Sequence, residues 1–72
     1  MEDRKATIKD VKFGRKLQRI RKTTSITQEK LAEITRLSTT FIGLLEIGKR
    51  RPSVKSLQKI ASALGIGIKD LF

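Results

Sequence analysis

The chain has 72 residues with no cysteine and no histidine, so one small domain must fold without disulfide or thiolate staples, and the usual general base and commonest transition-metal ligand are missing. Seventeen lysines and arginines against seven acids give a formal net charge of +10; this favours a polyanionic partner, nucleic acid first and an anionic membrane surface second, although plain solubilising charge has the same composition. No apolar run approaches the ~20 residues of a membrane span, and the charged first residues lack the apolar region of a secretory signal, so a soluble intracellular protein is expected.

Residues 1–9 read as a flexible N-terminal arm, of mixed charge and basic on balance. A first helix is expected from Asp10, a good N-cap residue. Phe13, Leu17 and Ile20 recur at helical spacing, and Lys12, Arg15, Lys16, Arg19, Arg21 and Lys22 cover much of the remaining surface. The run Thr23, Thr24, Ser25 favours caps and turns and should stop it. Thr27 caps a short second helix ending near Thr35, with Leu31, Ala32 and, further on, Leu37 turned inward.

Ser38 caps a third helix over about residues 39–47. Ile42 and Leu45 are its core residues, with Phe41 at least partly buried, and Gly48 supplies a left-handed stop. Residues 49–52 form a basic loop in which Pro52 biases Arg51 towards extended geometry. Ser53 caps a fourth helix with an apolar stripe of Val54, Leu57, Ile60, Ala61 and Leu64, closed by Gly65. Ile66, Ile68, Leu71 and Phe72 predict a short fifth helix that either completes the core or meets a partner. Five helices with short connections make a compact all-α domain over residues 10–72.

Several function classes fall away. The sequence offers no nucleophile–base pair, Gly-rich phosphate loop or metal cluster, so neither catalysis, a cofactor, a metal nor a small-molecule substrate is expected. Three phenylalanines without tyrosine or tryptophan are too few for a base-stacking reader of single strands. Membrane binding needs an open amphipathic face, and each such face is used in the expected core.

From Thr27 the sequence runs Thr-Gln-Glu-Lys-Leu-Ala-Glu-Ile-Thr-Arg-Leu-Ser-Thr-Thr-Phe-Ile-Gly-Leu-Leu-Glu-Ile-Gly-Lys-Arg-Arg-Pro. This resembles the helix-turn-helix of the phage repressor and Cro proteins, the XRE family. The shared pattern is T-Q-x-x-L-A, a turn with L-S, then I-x-x-x-E-x-G and a later proline. The stretch from Phe13 to Arg21 is similar to that family's first helix, and Leu57 to Ile66 to its fourth. The likeness covers about residues 11–72.

The resemblance implies a five-helix, lambda-repressor-like domain and a sequence-specific regulator of transcription, of repressor type, that binds double-stranded DNA. It also implies a homodimer on a palindromic operator and a cytoplasmic location, nucleoid-associated when bound. The reading helix, about residues 38–47, would enter the major groove. Thr39, Thr40, Gly43 and Leu44 then take the base-contact positions, which hold no Gln, Asn or Arg, so threonine hydroxyls, thymine-methyl contacts and DNA shape would carry the discrimination. Gln28, Arg36, Lys49, Arg50 and Arg51 are expected on phosphates, with Arg15 and Lys22 as further candidates. Glu46 is expected to pair with Arg21 in a structural salt bridge. Ile66, Ile68, Leu71 and Phe72 are the expected dimer contact, or else part of the monomer core.

The family often places glycine where this chain has Arg36, so either the turn differs or Arg36 is kept for a phosphate. A phage-type repressor, a restriction–modification controller, an antitoxin and the DNA-binding part of a longer regulator all fit. The alternative class is a protein-interaction, antitoxin or co-regulator module with mainly non-specific DNA affinity.

Overall fold

The computed structural model describes residues 7–72. It contains α1 (Ile8–Thr23), α2 (Gln28–Thr35), α3 (Thr39–Glu46), α4 (Val54–Leu64) and a 3-10 turn (Ile68–Leu71), all helical among the described residues. The first six residues of the expected arm lie outside that range.

The helix boundaries follow local hydrogen bonding. α1 begins two residues before the expected cap: Thr7, in extended geometry, is the N-cap, and Asp10 occupies the third helical position. The Asp10 N–H donates to Thr7 Oγ1 at 3.1 Å, and the Thr7 N–H donates to Asp10 Oδ2 at 3.3 Å. This reciprocal capping box satisfies two N–H groups that the helix leaves open, which a cap at Asp10 would not. At the other end, the Thr23 hydroxyl donates to the Ile20 carbonyl at 2.7 Å and the Thr24 hydroxyl to that of Arg21 at 2.8 Å. Side-chain hydroxyls thus occupy carbonyls near the end of α1, where the helix stops. Thr27, Ser38 and Ser53 cap α2, α3 and α4 as their positions predict.

The expected short fifth helix is a single 3-10 turn, so the fold has four α-helices among the described residues. Positions three apart eclipse in that geometry, which brings Ile68 and Leu71 onto one side, and the Gly67 N–H is capped by Asp70 Oδ2 at 3.0 Å. Leu71 is fully buried, while Ile66 and Ile68 are half-buried against the core. Leu71 therefore stabilises the monomer and is not available as a dimer contact. Phe72 is exposed, with its ring centroid 5.3 Å from that of Phe13.

α1 and α2 both pack on α3, α2 packs on α4, and the 3-10 turn closes the layer against α4 and α1. Leu17, Leu31, Ile42, Leu45, Ile60 and Leu71 are fully buried at the centre. Each contributes about 1.5–3 kcal/mol relative to exposure. Val54, expected in the α4 stripe, is 68% exposed; it is the first residue of α4, about 75° round the helix from the middle of the buried Leu64, Ala61 and Ile60 side.

α1 and α3 cross with almost no space between them. A Cβ on Gly14 would overlap the carbonyl oxygens of Leu45 and Glu46 and lie 2.7 Å from the Glu46 carbonyl carbon. Only glycine permits that approach. The crossing fixes the angle at which the third helix leaves the body of the domain.

Candidate nucleic-acid interface

α2 and α3 are joined by Arg36, Leu37 and Ser38 alone. Arg36 ends α2 at φ 60°, ψ 26°, in left-handed geometry. Its N–H and that of Leu37 close the helix end on the carbonyls of Glu33 and Ala32, at 3.4 and 3.1 Å. The turn therefore keeps the geometry glycine would adopt, at a cost of about 1–2 kcal/mol for a residue with a Cβ. The Arg36 side chain is exposed.

At about 100° per residue, α3 divides cleanly. Ile42, Leu45 and Glu46 are buried inward. Thr40, Gly43 and Leu44 share the opposite side, Thr40 exposed and the other two half-buried; Thr39, also exposed, starts the helix about 20° from Glu46, beside that face. Ile47, 57% exposed, extends this face, being three, four and seven residues beyond Leu44, Gly43 and Thr40. The sequence offers this signal in its spacing, but as the last residue of the expected helix Ile47 is not among the base-contact candidates. Gly43 faces Gln28, whose side-chain atoms would be 3.8 Å from an added Cβ. Packing inside the protein therefore does not require glycine there.

The third helix is held by a buried polar cluster. Arg21 Nε donates to Glu46 Oε2 at 2.6 Å and Arg21 Nη2 to Glu46 Oε1 at 3.2 Å. Both side chains are nearly inaccessible, at 9% and 1%. Gln28 Nε2 donates to the same Glu46 Oε1 at 2.9 Å, and Arg21 Nη1 to the Ile26 carbonyl at 2.8 Å. The pair expected from the sequence is formed, and Gln28 joins it. One carboxylate thus ties α1, the start of α2 and the end of α3 together through charge-assisted bonds. Gln28, expected on a phosphate, is drawn inward by this bond, with a second amide N–H left to offer.

The cations fall into two groups. Lys22, Arg15 and Val11 recur at helical spacing on one side of α1, and a Cβ on Gly48 would come 3.1 Å from Val11. Arg15 and Lys22 thus lie on the side of α1 turned towards residues 48–50, where Lys49 and Arg50 are exposed. Arg51 departs from this group: its Nε is 3.3 Å from Asp10 Oδ1, at the start of α1. The buried Asp10 carboxylate (6% exposed) supplies the physical reason.

A family model described as helix-turn-helix matches residues 17–71. The chain is 40% identical over 63 residues to the control protein C.MunI from a Mycoplasma species, covering 86% of this chain and 85% of that protein. It is 43% identical over 60 residues to the control protein C.BamHI of Bacillus amyloliquefaciens, covering 82% and 74%. The crystal structure of the restriction-modification controller protein C.AhdI from Aeromonas hydrophila superposes with a TM-score of 0.90 at 35% identity, covering 92% of this chain and all of that one.

Proposed function

The chain belongs to the helix-turn-helix family, and on that premise we propose that it is a transcriptional regulator of the controller type, placing α3 in the major groove of duplex DNA. The outward face of α3 carries this reading: it is free of the core, while the opposite face is locked to α1 and α2 through Glu46. Among the sub-types the sequence leaves open, the controller is favoured by similarity to two control proteins and C.AhdI over most of their lengths. Those relatives are named as regulators and not as enzymes.

In this reading, Thr39 and Thr40 offer hydroxyls to base edges, and Leu44 and Ile47 offer apolar contact to thymine methyls. Gly43 lets the helix backbone approach the DNA closely. Arg15, Lys22, Gln28, Arg36, Lys49 and Arg50 meet phosphates on either side, fixing register without reading sequence. Arg51 pairs with Asp10 but its side chain is 64% exposed, so it remains a phosphate candidate beside the start of α1. Two copies pair through the half-buried Ile66 and Ile68, with Phe72 at the margin, on an operator with two-fold symmetry. The protein then works in the cytoplasm, on the nucleoid when bound.

The test is selection from randomised duplex DNA, followed by titration over a salt series. The expected outcome is a two-fold symmetric site bound at least ~10³ times more tightly than random duplex. Half-site centres should be about one helical turn, ~34 Å, or a multiple apart. Salt-sensitive binding without an enriched site would instead mean general phosphate affinity, and the interaction-module alternative would replace this reading.

A further inference from the structure

A groove of about 790 Å³ lies between the start of α1, Pro52 and the 3-10 turn. Phe13, Leu57, Leu71 and Phe72 give it an apolar lining, and Lys9, Lys12, Lys16 and Arg51 add positive charge. Lys9, Lys12 and Lys16 form a row roughly 10 Å long on α1, and at about 100° per residue all three sit roughly 140–160° round the helix from Gly14, which faces α3. The lysine rim of the groove is therefore on the other side of α1 from the helix proposed to read DNA, with Phe13 on its flank.

We propose that this groove binds an acidic peptide segment of a partner protein, one that alternates carboxylate and apolar side chains. Asp10 is the acid within the groove, and its carboxylate is engaged by Arg51 and by the capping box. An incoming acid thus meets a net positive rim. Lys16 Nζ is fixed there by donating to the Phe72 carbonyl at 3.0 Å. The row of lysines requires more than one negative charge, spread over its length. In an extended segment, carboxylates two residues apart are roughly 7 Å apart, and the intervening side chains point the other way. Two such acids cover most of the row, the long lysine side chains closing the remainder, while an apolar residue enters between Phe13 and Leu57. A fatty acid carries one carboxylate, and a phosphate backbone brings no apolar side chain for the lining. Occupancy of the groove does not depend on how α3 meets DNA.

The experiment uses the full chain and a fluorescein-labelled decapeptide of alternating Glu and Leu or Phe. Binding is read by anisotropy near 0.15 M salt and located by NMR chemical shifts. The expected result is saturable binding with shifts centred on Phe13, Leu57 and Phe72. Lys9→Glu with Lys12→Glu should weaken it at least ~10-fold. Lys55→Glu with Lys59→Glu, the same charge change on α4, should weaken it less than ~3-fold if the contact is local. A peptide with Ser in place of Leu and Phe should bind at least ~10-fold more weakly. Equal losses in the two double variants, or no difference with the Ser peptide, would reduce the effect to general charge attraction and overturn the proposal. It is equally overturned by absence of binding, by laurate binding as tightly as the peptide, or by duplex DNA alone shifting the same groove residues.

Discussion

Gly14→Ala tests the crossing on which the DNA-binding geometry depends. The added carbon would overlap two carbonyl oxygens and stand 2.7 Å from the Glu46 carbonyl carbon, about 0.8 Å inside ordinary contact of roughly 3.5 Å. The obstacle is backbone, so no side-chain rotation relieves it and α1 must move away from α3. A shift of that size would stretch the Arg21 Nε to Glu46 Oε2 bond, now 2.6 Å, beyond useful length and loosen the packing of Phe13 and Leu17. Overpacking of this kind costs about 3 kcal/mol or more, against about 1 kcal/mol gained because alanine is the better helix former. The net loss is about 2–4 kcal/mol, a fall in Tm of roughly 10–30 °C for a domain of this size. Thermal and urea unfolding followed by circular dichroism measure it. A variant as stable as the parent would mean that the two helices do not cross at this distance.

The companion change, Gly43→Ala, has the opposite expectation: beyond the helix's own backbone and its chain neighbours the nearest atoms are those of Gln28 at 3.8 Å, so stability should rise by about 0.5–1 kcal/mol. If the α3 backbone approaches DNA closely, operator affinity should fall in the same variant, measured by anisotropy. Arg36→Gly should hold or raise stability by up to about 1 kcal/mol by relieving the left-handed residue. It should also lower the salt slope of DNA binding by about one, if Arg36 meets a phosphate. Glu46→Leu should cost about 3–5 kcal/mol by stranding Arg21, whereas Arg21→Met with Glu46→Leu should recover most of that loss in a double-mutant cycle of urea denaturation. Replacing thymine by uracil at operator positions facing Leu44 or Ile47 should cost about 0.8 kcal/mol per lost methyl, roughly fourfold in affinity. Leu44→Ala should abolish that sensitivity at the Leu44 position, and an operator indifferent to every such replacement would remove methyl reading from the account.

Three of the four α-helix starts were legible because a hydroxyl residue before an apolar-periodic run has one economical use. The start of α1 was misplaced for a related reason. Asp10 also caps well in isolation, and only the four-residue pattern from Thr7 to Asp10 reveals that the acid belongs inside the helix. The 3-10 turn was harder to see, because apolar residues at 68 and 71 satisfy α and 3-10 spacing alike. Burial of Leu71 depends on where α1 and α4 leave a gap, which no local window contains. The same holds for Gly14. The sequence displays a glycine amid a good helix, but the carbonyls that exclude a side chain come from residues 31 and 32 positions away. Gln28 was assigned outward because its position at the start of α2 was visible and the Glu46 carboxylate opposite it was not.

The position of Glu46 also explains how a chain so rich in cations can aim a helix that offers few strong base contacts. Specificity requires that the side chains of α3 arrive at a fixed depth and angle, since a hydroxyl or methyl contact is worth little if the helix can rock by an ångström. The buried carboxylate accepts from two different helices, so rocking α3 would break several charge-assisted bonds together. The Gly14 crossing opposes motion towards α1, and the hydrogen-bonded Arg36 turn opposes unwinding from α2. Burial of Glu46 beside Arg21 keeps its charge off the surface, and the exposed cations Arg15, Lys22, Arg36, Lys49 and Arg50 surround α3. The one acid of α3 thus stiffens the frame while the surrounding field stays positive, which suits a reader that takes most of its affinity from phosphates and its discrimination from fit.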